Sequence, residues 1–196
     1  MLVRVLAVNN YPTRERFERL ESCIRGNGAE VTSVEWDRVT SSMFDSYDGV
    51  ALSGSPDMMS DPKIQAKYGK EIGAIVDSRV PILGVCFGHQ MIASAFGSEV
   101  VKDRRHVLDM VKTTVLAEDP LFIGLPRSMM LLESRHEIVK SLPKGFRRLA
   151  RSETSEIATM KHETRPLYGV QFHPERYTKE SPDGNAVVGN FVRLLK

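Results

Sequence analysis

The first half of the chain alternates short apolar runs, rich in β-branched residues, with amphipathic stretches of helical period. The runs predicted as strands are Leu2–Val8, Glu30–Trp36, Gly49–Leu52 and Val80–Val85. The predicted helices run from about Thr13 to the Gly26-Asn27-Gly28 stop and from Ile64 to Asp77. The strands contain few polar residues, which is typical of parallel strands that helices cover on both faces. The alternation therefore predicts an α/β fold.

After Gly97 the pattern changes to closely spaced strand-like runs, which favour antiparallel hairpins added to the parallel sheet. These runs are Met110–Leu116, Met129–Leu132, Phe146–Ala150, Glu156–Met160 and Leu167–Phe172, followed by a predicted helix from about Gly184 to Leu195. The sequence has no repeat or long flexible linker, and its length suits one compact domain. We therefore expect residues 1–196 to form a single α/β domain, with a largely parallel central sheet, flanking helices and added hairpins.

The charges nearly cancel, with 27 Lys and Arg against 25 Asp and Glu, and no long block of like charge occurs. This balance argues against nucleic acid or an anionic membrane as a partner. No apolar run approaches the roughly 20 residues needed to cross a bilayer. The N-terminal stretch also lacks the features of a signal peptide, so we expect a cytoplasmic protein.

The segment from Val80 to Gly97 contains a distinctive turn around Cys86. An apolar strand runs directly into Gly84-Val85-Cys86-Phe87-Gly88, and a helical pattern follows. This is the strand, sharp turn and helix of a nucleophile elbow, with cysteine in the serine position. A tight turn brings backbone segments together, which explains glycine two residues before and two residues after Cys86.

The predicted elbow places the Cys86 sulfur at the carboxyl edge of the sheet and at the positive end of the next helix. That position favours a reactive thiolate. The unpaired N–H of Phe87, first in the helix, can receive the negative charge of a reacting carbonyl oxygen. The other cysteine, Cys23, recurs with Phe17 and Leu20 at helical spacing and is predicted to be a small core residue.

A cysteine nucleophile that expels an amine needs a group that both accepts and donates a proton near neutral pH. Among five histidines, His173 ends the apolar run Leu167–Phe172 and is followed by Pro174 and Glu175. In an extended segment, Glu175 would lie beside His173 and accept the proton of its distal ring nitrogen. His89 is expected to pack locally, whereas His106 and His162 are expected to be solvated. No His or Cys pair has zinc-ligand spacing, so we expect no metal.

At these residues the sequence resembles the class I (triad) glutamine amidotransferases. Its segments GVCFGHQ, from Gly84, and GVQFHPE, from Gly169, are similar to the two signatures of that family and occur in the expected order. Leu52-Ser53-Gly54-Ser55-Pro56 resembles the family's oxyanion strand. The resemblance implies that the N–H groups of Gly54 and Phe87 form the oxyanion hole. It also implies that Gln90 helps to bind the substrate.

Within the family, the chain is most similar to the stand-alone glutaminase part of GMP synthase known from archaea. The stretch Ser134-Arg135-His136-Glu137 resembles the family's Ser-His-x-Asp segment beside the glutamine pocket, which implies substrate contacts from Ser134, Arg135 and His136. Here the sequence departs from the family pattern, because arginine occupies the histidine position and His136 is shifted by one. Ser55 also replaces a usual glycine.

The resemblance implies that Cys86, His173 and Glu175 hydrolyse L-glutamine to glutamate and ammonia through a glutamyl thioester. Nothing in the sequence looks like a domain that activates a nucleotide. The segment Ser53-Gly54-Ser55-Pro56-Asp57 resembles a pyrophosphate loop but lacks its second glycine and final serine. We therefore expect no cofactor in this chain, and a separate ATP pyrophosphatase subunit, with ATP and Mg²⁺, that converts XMP to GMP.

Three other interpretations remain open from the sequence. The same chemistry could serve anthranilate or aminodeoxychorismate synthase. The chain could instead be a stand-alone γ-glutamyl hydrolase on the same fold. A regulatory binding module with a vestigial site is the alternative that is not an enzyme, and a complete triad argues against it.

Overall fold

The computed structural model describes residues 2–196 and contains one nine-stranded sheet. Its strands, numbered along the chain, are β1 Val3–Asn9, β2 Ala29–Glu35, β3 Gly49–Leu52, β4 Ile82–Val85, β5 Val100–Val115, β6 Ser128–Val139, β7 Phe146–Ser152, β8 Thr159–His162 and β9 Leu167–Val170. Their order across the sheet is β2-β1-β3-β4-β9-β8-β7-β5-β6. The first five in this order pair in parallel, and every later pair is antiparallel. The predicted fold class is confirmed.

Helices cover both faces of the parallel half of the sheet. They are α1 Arg14–Gly26, α2 Ser41–Phe44, α3 Pro62–Lys67, α4 Gly69–Asp77, α5 Phe87–Ala95 and α6 Asp183–Arg193. The apolar sides of α1 and α6 pack in one core cluster, and those of α4 and α5 pack in the other. The helices within residues 2–196 are all too short or too polar to span a bilayer.

Two strands of the second half are much longer than predicted. The expected run Met110–Leu116 lies, except for Leu116, in β5, which has 16 residues, and the run Met129–Leu132 lies in β6, which has 12 residues. The end of β6 lacks an apolar pattern because its buried residues Glu133, Arg135 and Glu137 are charged, and backbone pairing with β5 extends both strands. Four residues of β5, 103–106, bulge out opposite the single residue His136 of β6.

The helix predicted from Ile64 to Asp77 is divided into α3 and α4 at Tyr68. The ring of Tyr68 is buried between Trp36 and Phe87, with centroid distances of 4.7 and 4.9 Å, and its hydroxyl donates to Asp57. Packing of this ring therefore overrides the helical periodicity. Trp36, predicted to end a strand, instead begins a short 3₁₀ turn.

Candidate active site

Cys86 lies between β4 and α5 in a backbone conformation that is rare for a residue with a side chain. Its φ is 51° and its ψ is −96°, and it is the only non-glycine residue with positive φ in the described chain, residues 2–196. A strained residue of this kind is typical of a nucleophile elbow. The turn points the sulfur towards a cavity at the carboxyl edge of the sheet.

The two flanking glycines are required by close backbone contacts, which confirms the reason predicted for them. A Cβ on Gly84 would lie 2.5 Å from the carbonyl oxygen of Gly88. A Cβ on Gly88 would lie 2.8 Å from both Cβ and the carbonyl oxygen of Leu52. Backbone atoms cannot move away cheaply, so only glycine allows β3, β4 and α5 to pack this closely.

Parallel pairing of β4 with β9 brings the two distant segments of the candidate site together. Val85 lies opposite Val170, and the Cys86 N–H donates to the Val170 carbonyl at 2.8 Å. Because parallel strands end at the same edge of a sheet, the residues after Val85 and Val170 meet there. His173 is fixed at this edge by donating its backbone N–H to Leu132 of β6 at 2.8 Å.

His173 and Glu175 form a buried pair beside Cys86. Nδ1 of His173 lies 2.8 Å from Oε1 of Glu175, and both side chains are less than 5% exposed. The backbone here is not extended as expected, since Pro174–Arg176 form a 3₁₀ turn. Pro174 favours this turn because its fixed φ suits a helical start, and the turn still directs Glu175 to the distal ring nitrogen.

The surroundings of His173 favour its charged form. Burial on its own would lower the pKa of His173, but the negative charges of Glu175 and Cys86, and hydrogen bonds with both, outweigh burial and raise it above the ordinary value. An imidazolium beside a cysteine favours attack by its sulfur, so this setting of His173 suits a nucleophilic Cys86. By contrast, complete burial lowers the pKa of His89 to about 3, so that ring is neutral.

Two backbone N–H groups beside Cys86 are free to bind an oxyanion. Neither the Gly54 nor the Phe87 N–H donates a hydrogen bond within residues 2–196. Phe87 is the first residue of α5, so its N–H adds to the positive end of that helix. Gly54 is held by its neighbour Ser53, whose N–H donates to Val8 and whose hydroxyl donates to the Gly54 carbonyl.

Two adjoining cavities open beside Cys86, His173 and Glu175. One, of about 350 Å³, is lined by Cys86, Gln90, the segment 134–137 and charged residues of both signs. The other, of about 260 Å³, is lined by Tyr11, His173 and Glu175, and it shares Arg16, Ser55, Ser134 and Arg176 with the first. A larger cavity, of about 690 Å³, lies elsewhere among residues 115–127, and none of the predicted site residues lines it.

All four residues predicted to contact the substrate line the first cavity. Gln90 donates its side-chain amide to the Glu137 carbonyl at 3.0 Å, and Ser134 accepts from the Cys86 thiol at 3.5 Å through its carbonyl. His136 is exposed at the mouth and stacks on His106, with ring centroids 3.9 Å apart. His106 is exposed, as expected, and it also lines the cavity, where the β5 bulge places it.

Gln171 lies against Cys86 but was not among the residues predicted for the site. Its amide donates to the Cys86 sulfur at 3.7 Å and lies 3.4 Å from the amide of Gln90. The signal was present, because a glutamine within the apolar run Leu167–Phe172 is buried and needs polar partners. Tyr11, whose hydroxyl lies against Gly54, was also missed.

Arg135 is not placed to contact substrate through its side chain, which corrects the prediction. Its side chain is fully buried, so only its main chain reaches the cavity wall. The guanidinium donates to Glu133 at 2.8 Å, to Asp103 at 2.5 Å and to the Thr154 carbonyl at 2.7 Å. Burial of Asp103 opposes its ionisation, but the hydrogen bond and charge of Arg135 lower its pKa. Arginine therefore anchors the β5 bulge.

Replacement of Arg135 by methionine is expected to destabilise the fold by about 3–5 kcal/mol, because it leaves Glu133 buried without its counter-ion. Urea unfolding measures this change. The R135M/E133Q double variant should recover part of the loss, and R104M, at the exposed neighbour, serves as the control. Equal stability of R135M and wild type would contradict this role for Arg135.

The family model described as "Glutamine amidotransferase class-I" matches residues 13–194. The chain belongs to the class I glutamine amidotransferases. This family spans nearly the whole described structure, from the start of α1 to the end of α6. The chain is thus an amidotransferase enzyme.

Individual relatives agree with the family. The glutamine-hydrolyzing GMP synthase subunit from Archaeoglobus fulgidus is 34% identical over 194 residues, which are 99% of this chain and 100% of the relative. The protein of the same name from Pyrococcus abyssi is 41% identical over 149 residues, 74% of each chain. A solved structure from Thermoplasma acidophilum, provisionally assigned as the same GMP synthase subunit, has a TM-score of 0.88 at 30% identity and covers 100% of this chain and 94% of its own.

Proposed function

We propose that this amidotransferase hydrolyses L-glutamine with Cys86, His173 and Glu175 and delivers the ammonia to a separate synthetase subunit that converts XMP to GMP. The observation that carries the catalytic proposal is the arrangement around one sulfur. An elbow cysteine, a buried His173–Glu175 pair at 2.8 Å and two free N–H groups converge there.

In the proposed reaction the Cys86 thiolate attacks the side-chain carbonyl of glutamine. The N–H groups of Gly54 and Phe87 stabilise the oxyanion that forms, and the imidazolium of His173 gives its proton to the departing ammonia. The neutral His173 then activates water, which releases glutamate from the thioester. Glu175 keeps the proton on Nδ1, so that Nε2 faces the reacting atoms, and it stabilises the imidazolium.

The charges at the cavity suit an α-amino acid. Glutamine presents both a carboxylate and an ammonium group, and the cavity beside Cys86 is lined by groups of both signs. Arg16 and Arg176 are suitable for the carboxylate, whereas Glu137 is suitable for the ammonium group. We expect Gln90, Ser134 and His136 to complete the substrate contacts.

The partner is inferred from the chemistry of ammonia and from the relatives. Ammonia released into water near neutral pH is protonated and loses its nucleophilicity, so a docked acceptor site is needed. The relatives are named as one subunit of GMP synthase. We therefore place ATP and Mg²⁺ on the partner and expect no cofactor in this chain, and we expect the complex to work in the cytoplasm.

A glutamate-release assay tests this function. The chain is assayed by itself, with an archaeal GMP synthase ATP pyrophosphatase subunit, and with that subunit plus XMP, ATP and Mg²⁺. We expect little release from the chain by itself and strong stimulation in the complete mixture, with GMP formed in step with glutamate. Stimulation only by a chorismate-using synthetase would contradict the XMP assignment, and full activity without any partner would indicate a γ-glutamyl hydrolase.

A further inference from the structure

Glu71 is a buried acid that the proposed reaction does not use. It lies on the side of α4 that also carries Ala74 and Ile75, and none of it is exposed. No cation pairs with it within residues 2–196, and its one partner is the side-chain amide of Asn10, which donates to Oε1 at 3.2 Å. An unpaired buried carboxylate is costly, so this glutamate needs an explanation.

Glu71 and Asn10 each have one side-chain oxygen that accepts no hydrogen bond in the described part of the chain. Oε2 of Glu71 and Oδ1 of Asn10 are both buried and have no hydrogen-bond partner within residues 2–196. Oδ1 can only accept, and the same is true of Oε2 in a carboxylate. A single proton on Oε2 would satisfy both, because the acid would donate to Oδ1 while Oε1 accepts from the amide. Carboxylic acid and amide would then form a closed ring of two hydrogen bonds.

Asn10 connects this pair to the oxyanion strand. Its backbone N–H donates to the Ser53 hydroxyl at 2.9 Å, and its side-chain amide lies 3.4 Å from the Ser53 carbonyl. The Ser53 hydroxyl in turn donates to the Gly54 carbonyl at 2.9 Å. An unbroken series of buried hydrogen bonds therefore runs from α4 to the peptide next to the Gly54 N–H.

We propose that Glu71 is held as a neutral carboxylic acid whose proton is donated to Asn10, and that this acid–amide pair positions Ser53 and Gly54 of the oxyanion strand. This role for Glu71 as a positioning residue rests on the proposed glutaminase function. The neutral acid itself does not depend on that function, so the two can be tested separately.

The electrostatic setting agrees with a neutral acid. Burial raises the pKa of Glu71 to about 8, although the Asn10 hydrogen bond acts in the opposite direction. The charged groups that line the small cavity next to Glu71 are Asp37, Lys67 and Lys70. Lys67 pairs with Asp57 at 2.6 Å, and Asp57 also accepts from Tyr68, so this lysine is not free for Glu71.

The protonation state is tested by infrared spectroscopy and by unfolding, without any catalytic assay. At pH 6.5 we expect the carbonyl band of a protonated carboxyl group in wild type and its absence in E71Q. Because the pKa of Glu71 is higher folded than unfolded, its contribution to stability falls as pH rises from about 4.5 to 8. The E71Q variant keeps both hydrogen bonds of the ring but should not lose stability over this pH range. The control variant E30Q, changed at an exposed position, should lose stability as wild type does.

Absence of that infrared band, or an equal pH dependence of stability in wild type and E71Q, would overturn the neutral acid. The positioning role is tested by kinetics in the complex with the synthetase. E71L breaks the ring and should lower kcat by on the order of tenfold or more with KM unchanged, because an oxyanion donor is displaced. E71Q should retain the wild-type kcat.

An E71Q protein that loses kcat as E71L does, or an E71L protein that changes KM alone, would exclude the positioning role. If E71L does not fold, a loss of kcat in E71Q would still exclude the positioning role. A wild-type complex without glutaminase activity would instead refute the proposed function and leave the infrared and unfolding results valid.

Discussion

Replacement of Cys86 by alanine is expected to abolish glutamine hydrolysis while the chain stays folded. Loss of a nucleophile in a hydrolytic triad lowers kcat by on the order of 10⁶-fold, because the remaining groups cannot form the covalent intermediate. Glutamate release by the synthetase complex measures the effect. GMP formation from added ammonia should remain, since that reaction bypasses the glutaminase.

Cys23 provides the matched control for this prediction. It is buried in α1, and its thiol is 3.4 Å from the side-chain oxygen of Asn185. Burial, together with the charge of Glu175, raises the pKa of Cys23 to about 12, so it stays a neutral thiol at neutral pH. C23A should therefore keep glutaminase activity, and iodoacetamide should add one group to wild type and none to C86A. Full activity of C86A would refute the proposed mechanism.

The strain at the elbow can be measured with the same variants. Alanine at position 86 has to adopt the positive φ that cysteine adopts, whereas glycine accepts it freely. C86G should therefore be more stable than C86A by about 1–3 kcal/mol. Such a difference, measured by urea unfolding, would show that the fold tolerates a strained residue in order to expose the sulfur.

The elbow could be predicted from the sequence because its requirements are local. A tight turn between strand and helix needs small residues at fixed offsets, and Gly84 and Gly88 stand at those offsets. The meeting of Cys86 with His173 could also be expected, since both follow apolar runs that suit neighbouring parallel strands. The structure adds the register, in which Val85 lies opposite Val170.

The wall of the pocket could not be predicted, because it depends on pairing between distant strands. The charged residues 103–106 have no strand pattern, and only their pairing opposite His136 makes them a bulge. Arg135 looks in the sequence like a surface cation near the pocket, yet partners from β5, β6 and the loop after β7 bury it. The register of β5 with β6 decides that the Arg135 side chain points into the protein, and hydrophobic patterns do not determine that register.

For buried polar residues, the sequence indicates the burial but not the partners. Gln171 interrupts an apolar run, and Glu71 falls at helical spacing with Ala74 and Ile75, so both positions could be expected to face inward. Their partners could not be expected. Asn10 and Glu71 are 61 positions apart, and only the packing of α4 beside the end of β1 joins them.

Replacement of Gly54 by alanine is expected to lower kcat by about a hundredfold or more, because it displaces either an oxyanion donor or the imidazole of His173. A Cβ at this position would clash with the Tyr11 hydroxyl and would lie 3.1 Å from Cε1 of His173. Either the oxyanion strand moves away, which removes one N–H donor at a cost of about 10²–10³ in kcat, or the imidazole is displaced. Glutamate release at saturating glutamine in the synthetase complex gives the measurement.

The crowding at Gly54 can be separated from a general loss of stability. Gly73, in α4, has open space around its Cα, so G73A should be fully active and no less stable than wild type. In the G54A/Y11F double variant the closest atom is gone, while the 3.1 Å approach to His173 remains. We therefore expect partial recovery of kcat relative to G54A. If Y11F restores nothing, the lost N–H donor rather than the Tyr11 contact accounts for the effect, and an unimpaired G54A would exclude Gly54 from the oxyanion hole altogether.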